Sequence, residues 1–130
     1  MPYPVEFYSL PAARICKSFK HDCVIRAVST AMSKPYTEVF EDLMRLGISM
    51  GAYPNHKKVW QSYLENNGWT KNKCPRDASG KLIKLGNWVD RPLTAGIINS
   101  GHLTALSGGI VTDEWDCRYR PVNTYWTPHS

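Results

Sequence analysis

The feature that most constrains this 130-residue chain is a cysteine placed at the start of a predicted helix. Asp22 precedes that helix and is a favourable N-cap, because its carboxylate can accept hydrogen bonds from the free N–H groups of the first turn. The sequence Ser33-Lys34-Pro35 predicts that the helix ends near Met32. Apolar residues recur at helical spacing along it: Val24, Ala27, Val28, Ala31 and Met32.

Cys23 is therefore expected to be the first helical residue. Unpaired N–H groups and the helix dipole favour a negative charge at that position. A thiol there can have a pKa well below the ordinary value of about 8.5, which makes it a nucleophile at neutral pH. The alternative interpretation is a small, buried apolar residue, which is the commonest fate of a free cysteine.

The order of the predicted elements indicates an α+β fold within a single domain, residues 1–130. The sequence predicts two further helices. The first covers residues 36–47 and is capped by Thr37, and the second covers residues 56–66 and is capped by Asn55. Four strand-like segments follow in the second half, at 94–100, 101–106, 110–113 and 118–126. We expect an extended arm or edge strand over residues 1–10. We expect a loop with one short strand near Leu82 over residues 69–84, and a single helical turn over residues 85–92. We therefore expect N-terminal helices packed on a C-terminal antiparallel sheet.

Composition and cysteine spacing exclude several classes of protein. No apolar run approaches the roughly 20 residues of a membrane span, and the N-terminus lacks the basic and apolar regions of a signal peptide. We therefore expect a cytoplasmic protein with reduced cysteines and no membrane association. The four cysteines form no CxxC pair, so neither a metal site nor another cofactor is expected.

Nucleic-acid binding is a function that the sequence permits but does not favour. The formal net charge of +5 permits attraction to polyanions, and basic and aromatic residues alternate at Arg118-Tyr119-Arg120. However, the lysines and arginines are otherwise scattered, apart from a mildly basic patch at Lys71, Lys73 and Arg76 that is typical of a solvated loop. No recognisable nucleic-acid module is present.

A histidine and a carboxylate in the second half complete a candidate active site. His102 lies at the start of a predicted strand, on the same face as Thr104. The hairpin turn at 107–109 returns the chain to a strand that ends at Asp113. Residues at the open end of a hairpin are neighbours, so Asp113 can orient the His102 ring as the third member of a triad does. Asp116, just beyond the strand, is the second choice for this role.

Taken in this order, the motifs resemble the papain-like superfamily of cysteine peptidases. The resemblance is greatest to small phage or bacterial members, similar to the peptidases that cleave bacteriocin leaders. It implies a papain-like fold, with Cys23 as the nucleophile, His102 as the base and Asp113 as the orienting carboxylate. The residues that carry it are Asp22-Cys23-Val24-Ile25-Arg26-Ala27, Gly101-His102-Leu103-Thr104-Ala105-Leu106 and Gly109-Ile110-Val111-Thr112-Asp113.

One departure from the family concerns the oxyanion donor. Many papain-like enzymes have a glutamine several residues before the cysteine, whereas residues 16–21 here contain neither glutamine nor asparagine. The N–H of Cys23 can supply one donor, and Ser18, Lys20 or His21 are candidates for another. Losing one good donor typically costs about 3–4 kcal/mol of barrier.

Two hypotheses follow from these residues. The first is a cysteine-dependent hydrolase acting on a peptide, isopeptide or amide bond of a peptide or protein substrate. The second is a catalytically inactive binding or inhibitor protein of papain-like fold, encoded by a phage and acting on a host factor in the host cytoplasm. The sequence does not indicate an oligomeric state.

Overall fold

A computed structural model of the chain describes residues 3–9, 22–73, 76–87, 96–99, 102–107 and 109–128. Within these ranges, three helices and six strands confirm the predicted α+β class. The helices are α1 (Cys23–Met32), α2 (Tyr36–Met50) and α3 (Lys57–Asn66), with a short 3-10 turn at Leu85–Asn87. The strands are β1 (Glu6–Ser9), β2 (Trp69–Lys73), β3 (Gly96–Asn99), β4 (Leu103–Ser107), β5 (Ile110–Asp113) and β6 (Thr124–Pro128).

The strands form one sheet in the order β1-β5-β4-β3-β6-β2. β1 pairs with β5 in parallel, and the other neighbouring pairs are antiparallel. The expectation of a wholly C-terminal, wholly antiparallel sheet is therefore wrong. β1 comes before the helices and β2 follows them directly, so the two edge strands both come from the first part of the chain. The edge position of β1 confirms the prediction for the N-terminal arm.

Helix α2 differs from its predicted limits at both ends. It begins after Pro35 rather than Thr37, and it continues past Gly47 to Met50. Gly51 ends it with a φ of 69°, the left-handed conformation common after a helix. Gly47 lies inside the helix, and the chain after α2 folds back so closely that a Cβ at this position would lie 2.5 Å from the carbonyl oxygen of Ala52.

Smaller differences affect the third helix and the last strand. His56, not Asn55, caps α3, and its Nδ1 accepts a hydrogen bond from the N–H of Lys58 at 3.2 Å. The segment predicted as a strand over 118–126 contributes only its last three residues to β6. In contrast, α1 ends at Met32 as predicted, and the β4–β5 hairpin pairs Leu106 with Val111.

Two apolar clusters pack around the sheet. Leu103 and Trp126 pack with the buried faces of the three helices, whereas Leu106 and Val111 pack with Val5 and other residues outside the helices. Side chains three positions apart on a strand point to opposite faces, so Leu103 and Leu106 assign these clusters to the two sides of β4. Helix α1 lies against β4. This packing brings the start of α1 to the end of the sheet where β4 begins and β5 ends.

Among the described residues, no helix combines the length and the hydropathy that crossing a membrane requires.

Candidate active site

Cys23 is the first residue of α1 and is partly buried. Its thiol lines the same cleft as His102 and Leu103, and hydrogen bonding to the His102 side chain and the Leu103 backbone lowers its pKa. Burial by itself would raise the pKa of this thiol. The hydrogen bonds, with the charges of His102 and Arg26, more than offset burial and hold the pKa of Cys23 below its ordinary value. Cys23 therefore ionises more readily than an ordinary cysteine, and its side chain also packs against the apolar cluster of the helices.

His102 directly precedes β4 and lies between the thiol and a carboxylate. Its Nε2 is 2.8 Å from Oδ2 of Asp113, which leaves Nδ1 as the ring nitrogen for the Cys23 contact. The ring also packs on Trp115, with centroids 4.5 Å apart. Burial would lower the pKa of His102, but the hydrogen bonds and charges of Asp113 and Cys23 raise it to about 9. His102 is therefore charged at neutral pH, and the lowered pKa of Cys23 shifts the pair towards thiolate and imidazolium.

Asp113, the last residue of β5, is buried and accepts hydrogen bonds on both carboxylate oxygens. Oδ2 accepts from Thr104 Oγ1 at 2.6 Å in addition to its contact with His102. Oδ1 accepts from Arg26 Nη1 at 2.6 Å and from the N–H of Glu114 at 2.7 Å. Burial would raise the pKa of this carboxyl, but the hydrogen bonds from His102 and Thr104 lead the effects that lower it. Asp113 is thus a fixed anion behind the imidazole.

The structure thus brings together Cys23, His102 and Asp113, which the sequence places far apart. Asp116, the second choice for the carboxylate, forms a bidentate ion pair with Arg118, with its shorter contact at 2.7 Å. Asp113 rather than Asp116 is thus the carboxylate on His102. The candidate oxyanion donors Ser18, Lys20 and His21 lie outside the described residues.

Asp22 occupies the predicted N-cap position, but its carboxylate makes no capping hydrogen bond. It accepts instead from Arg26 Nε at 2.9 Å and from the hydroxyl of Tyr36 at 2.8 Å. The predicted capping interaction is therefore wrong. The charged guanidinium attracts the Asp22 carboxylate more strongly than a neutral N–H does.

Arg26 is a residue of this site that sequence reasoning missed. It reaches both Asp22 and Asp113, which is 87 positions later in the chain. The only signal in the sequence is its place in the Asp-Cys-x-x-Arg-Ala motif, one turn after the cysteine.

A cleft of about 430 Å³ opens onto Cys23 and His102. Lys57 and the two carboxamides of Asn55 and Asn123 contribute polar groups to its wall. Apolar surface comes from Val24, Trp60 and Leu103. Trp60 both lines the cleft and belongs to the apolar core, and Trp126 is buried.

The described residues include one group with metal-ligand chemistry, formed by His102, Asp113 and Cys117, whose ligand atoms lie within 4.8 Å of one another. Burial and the nearby Asp113 charge raise the pKa of Cys117 to about 11, so its sulfur remains a protonated thiol at neutral pH. A metal ion would have to displace this proton to bind the sulfur. In addition, His102 Nε2 and Asp113 Oδ2 already contact each other at 2.8 Å. The group fits a hydrogen-bonded dyad better than a metal site.

Comparison of the chain with protein families, curated proteins and solved structures yields no match.

Proposed function

We propose that this protein is a cysteine-dependent hydrolase of papain-like type, with Cys23 as nucleophile, His102 as acid and base, and Asp113 as orienting carboxylate. One observation carries the proposal: a thiol at the first position of a helix shares a cleft with an imidazole that a buried carboxylate holds from behind. The packing of α1 on β4 supports the papain-like comparison, because it joins a cysteine-bearing helix to a histidine-bearing strand.

The first half of the proposed reaction is acyl transfer to sulfur. The Cys23 thiolate attacks the carbonyl carbon of a peptide, isopeptide or amide bond, and the carbonyl oxygen becomes an oxyanion. The His102 imidazolium then donates its Nδ1 proton to the leaving nitrogen, and the C–N bond breaks. An amine departs and a thioester remains on Cys23. Asp113 holds the ring in the required tautomer and orientation throughout.

The second half releases the acid. Neutral His102 accepts a proton from a water molecule as that water attacks the thioester carbonyl. The C–S bond then breaks, the carboxylic acid leaves, and the thiolate–imidazolium pair is restored. A partly buried site strengthens these electrostatic interactions, since fewer waters compete with the charged groups.

Oxyanion stabilisation requires donors close to Cys23. The Cys23 N–H is available in principle, because the first N–H groups of a helix have no acceptor within it. The side-chain amide of Asn123, which lines the same cleft, is a further donor candidate.

A peptide or protein is the substrate class that this cleft suits best. Asn55 and Asn123 can each donate to and accept from a peptide backbone, and Trp60 offers an apolar surface for a substrate side chain. The cleft is open rather than enclosed by protein, as a polymeric substrate requires.

A nitrophenyl ester burst tests the proposal without knowledge of the natural substrate. The ester should acylate Cys23 and release one equivalent of nitrophenolate in a fast phase, and peptide mapping should locate the thioester on Cys23. Cys23→Ser and His102→Ala should each abolish the fast phase, whereas Asp116→Asn should retain it. Absence of a burst in folded wild-type protein would favour an inactive binding protein instead.

A further inference from the structure

Arg26 lies between the element that carries the proposed nucleophile and the strand that carries the proposed orienting carboxylate. It is three positions after Cys23 on α1, and its side chain is 14% exposed. From this position the guanidinium reaches Asp22, immediately before Cys23, and Asp113 at the end of β5. A single side chain therefore connects the start of α1 to the sheet at the active site.

Different nitrogens of the guanidinium make these contacts. Nε donates to Asp22 Oδ1 at 2.9 Å, and Nη1 donates to Asp113 Oδ1 at 2.6 Å. Nε also lies 3.6 Å from Oε1 of Glu114. Both aspartates are almost fully buried, with 4% and 3% of their side chains exposed. A planar guanidinium with several fixed donors is well suited to contact two such carboxylates in two directions at once.

The contact with Arg26 also determines the orientation of the Asp113 carboxylate relative to His102. The Oδ1 oxygen is held by Arg26 and by the N–H of Glu114, so the carboxylate plane cannot rotate freely. Oδ2 is consequently directed at His102 Nε2. On the other side, Asp22 is anchored to α2 by the hydroxyl of Tyr36, which gives the guanidinium a second fixed acceptor.

We propose that Arg26 is a positioning residue of the Cys23–His102 pair: its guanidinium fixes the start of α1 and the Asp113 carboxylate in one geometry. This inference rests on the proposed function. Arg26 does not touch the reacting atoms in this account, and it acts through Asp22 and Asp113. Without the two-directional contact, the thiol and the imidazole lose their alignment although each residue is still present.

A positive charge near the thiol would itself stabilise a thiolate, so the test must separate charge from geometry. Lysine retains the charge but offers one compact ammonium group, which can approach one aspartate and not both in a planar fork. Methionine removes the charge and keeps a similar length. Arg118→Met is the matched control, because it breaks an arginine–aspartate pair that does not include Asp113. The substitution also removes the hydrogen bond from Arg118 Nη1 to the carbonyl of Val5.

The experiment measures Cys23 alkylation by iodoacetamide across pH, with peptide mapping to separate Cys23 from the other cysteines. We expect wild type and Arg118→Met to retain fast alkylation at about pH 6, as a thiolate of lowered pKa does. Arg26→Met should react at least about tenfold more slowly at that pH, and Arg26→Lys at least about threefold more slowly, with midpoints displaced towards the ordinary thiol value near 8.5. Circular dichroism and thermal unfolding identify the folded variants, and Arg26→Lys decides the question if Arg26→Met does not fold.

A wild-type profile in folded Arg26→Lys would overturn the inference, because charge alone would then account for the effect of Arg26. An equal loss of Cys23 alkylation rate in Arg118→Met would also overturn the inference, because the effect would then not be specific to the contacts of Arg26 with Asp22 and Asp113. These outcomes differ from failure of the proposed function, in which wild-type Cys23 itself shows no low-pH reactivity.

Discussion

Two aspartates three residues apart, Asp113 and Asp116, have different surroundings, and this difference defines their roles. Asp113 is buried and accepts from the side chains of Arg26, His102 and Thr104 and from the N–H of Glu114. Asp116 is paired with Arg118 and is much more exposed. An amide in place of the Asp113 carboxylate would turn N–H donors towards Arg26 or His102, which are donors themselves.

Asp113→Asn should therefore lower the rate of the nitrophenyl ester burst by at least about a hundredfold, since the imidazole loses its anionic partner and its orientation. Asp116→Asn should change that rate by less than about twofold, because surface ion pairs contribute little. Stopped-flow absorbance measures both rates. Equal effects of the two substitutions would contradict the assignment of Asp113.

At the scale of residues, the sequence predicts which side chains form the candidate site better than it predicts which hydrogen bonds they make. Cys23, His102 and Asp113 could be selected because their types and their positions at element ends are informative. The roles of Asp22 and Arg26 could not be predicted, because local sequence assigns a carboxylate at the start of a helix to capping and gives no sign of a contact with Arg26. Only the folded chain brings Asp113 close enough to Arg26 to complete the network.

At the scale of elements, the start of α3 carries two lysines beside the cleft. Cations are unfavourable near a helix N-terminus because of the helix dipole. Lys57 lines the cleft with Cys23, whereas Lys58 is also exposed but does not line it. These two lysines allow a test of whether a positive charge in the cleft affects the reaction of Cys23 with a negatively charged reagent.

Lys57→Met should lower the ratio of iodoacetate to iodoacetamide alkylation rates at Cys23 by about two- to fivefold, since an exposed charge contributes up to about 1 kcal/mol. Lys58→Met should leave the ratio almost unchanged. Competition between the two reagents, read by peptide mass, gives the ratio directly. An equal effect of both substitutions would show that only net charge matters.

The fold-back after α2 predicts a second effect at this scale. Gly47→Ala should lower the free energy of unfolding by about 1–3 kcal/mol, because the new methyl group collides with the backbone at Ala52. Glu41→Ala, at an exposed position on the same helix, should change it by less than about 0.5 kcal/mol. Urea denaturation measures both, and similar stabilities of the two variants would contradict the tight contact at Gly47.

The elements themselves were predictable to different degrees for physical reasons. α1 has a clear apolar stripe and a proline soon after its end, so its limits follow from local sequence. β2 was missed because only Trp69 in it is buried, and its pairing partner β6 lies more than 50 residues away. Parallel pairing of β1 with β5 likewise depends on contacts between distant segments, which no local pattern reveals.

At the scale of the whole molecule, the thiolate–imidazolium pair should shape how stability depends on pH. The raised pKa of His102 contributes stability that is fully present below about 6.5 and is lost as pH rises through about 9. The lowered pKa of Cys23 acts in the opposite sense: its contribution is present above the ordinary thiol pKa and is lost as pH falls through the folded value. Between about pH 6.5 and 8.5 the two effects offset each other.

Removal of the thiol should expose the histidine contribution alone. In Cys23→Ala, the free energy of unfolding should fall by about 1 kcal/mol as pH rises from about 6.5 to 8.5, because Asp113 still stabilises the charged imidazole. Wild type should change little from this pair over the same range. Urea denaturation at several pH values measures the difference, and parallel curves for the two proteins would contradict coupled ionisation of Cys23 and His102.

Direct titration of the Cys23 thiolate tests the central claim most simply. The ultraviolet absorbance of the thiolate is followed against pH in wild type, with Cys23→Ser subtracted to remove the other cysteines and the tyrosines. The account predicts that the Cys23 signal appears at lower pH than that of an ordinary thiol and that His102→Ala displaces it upwards. A signal that appears only near the ordinary value of about 8.5, and is the same in His102→Ala, would contradict it.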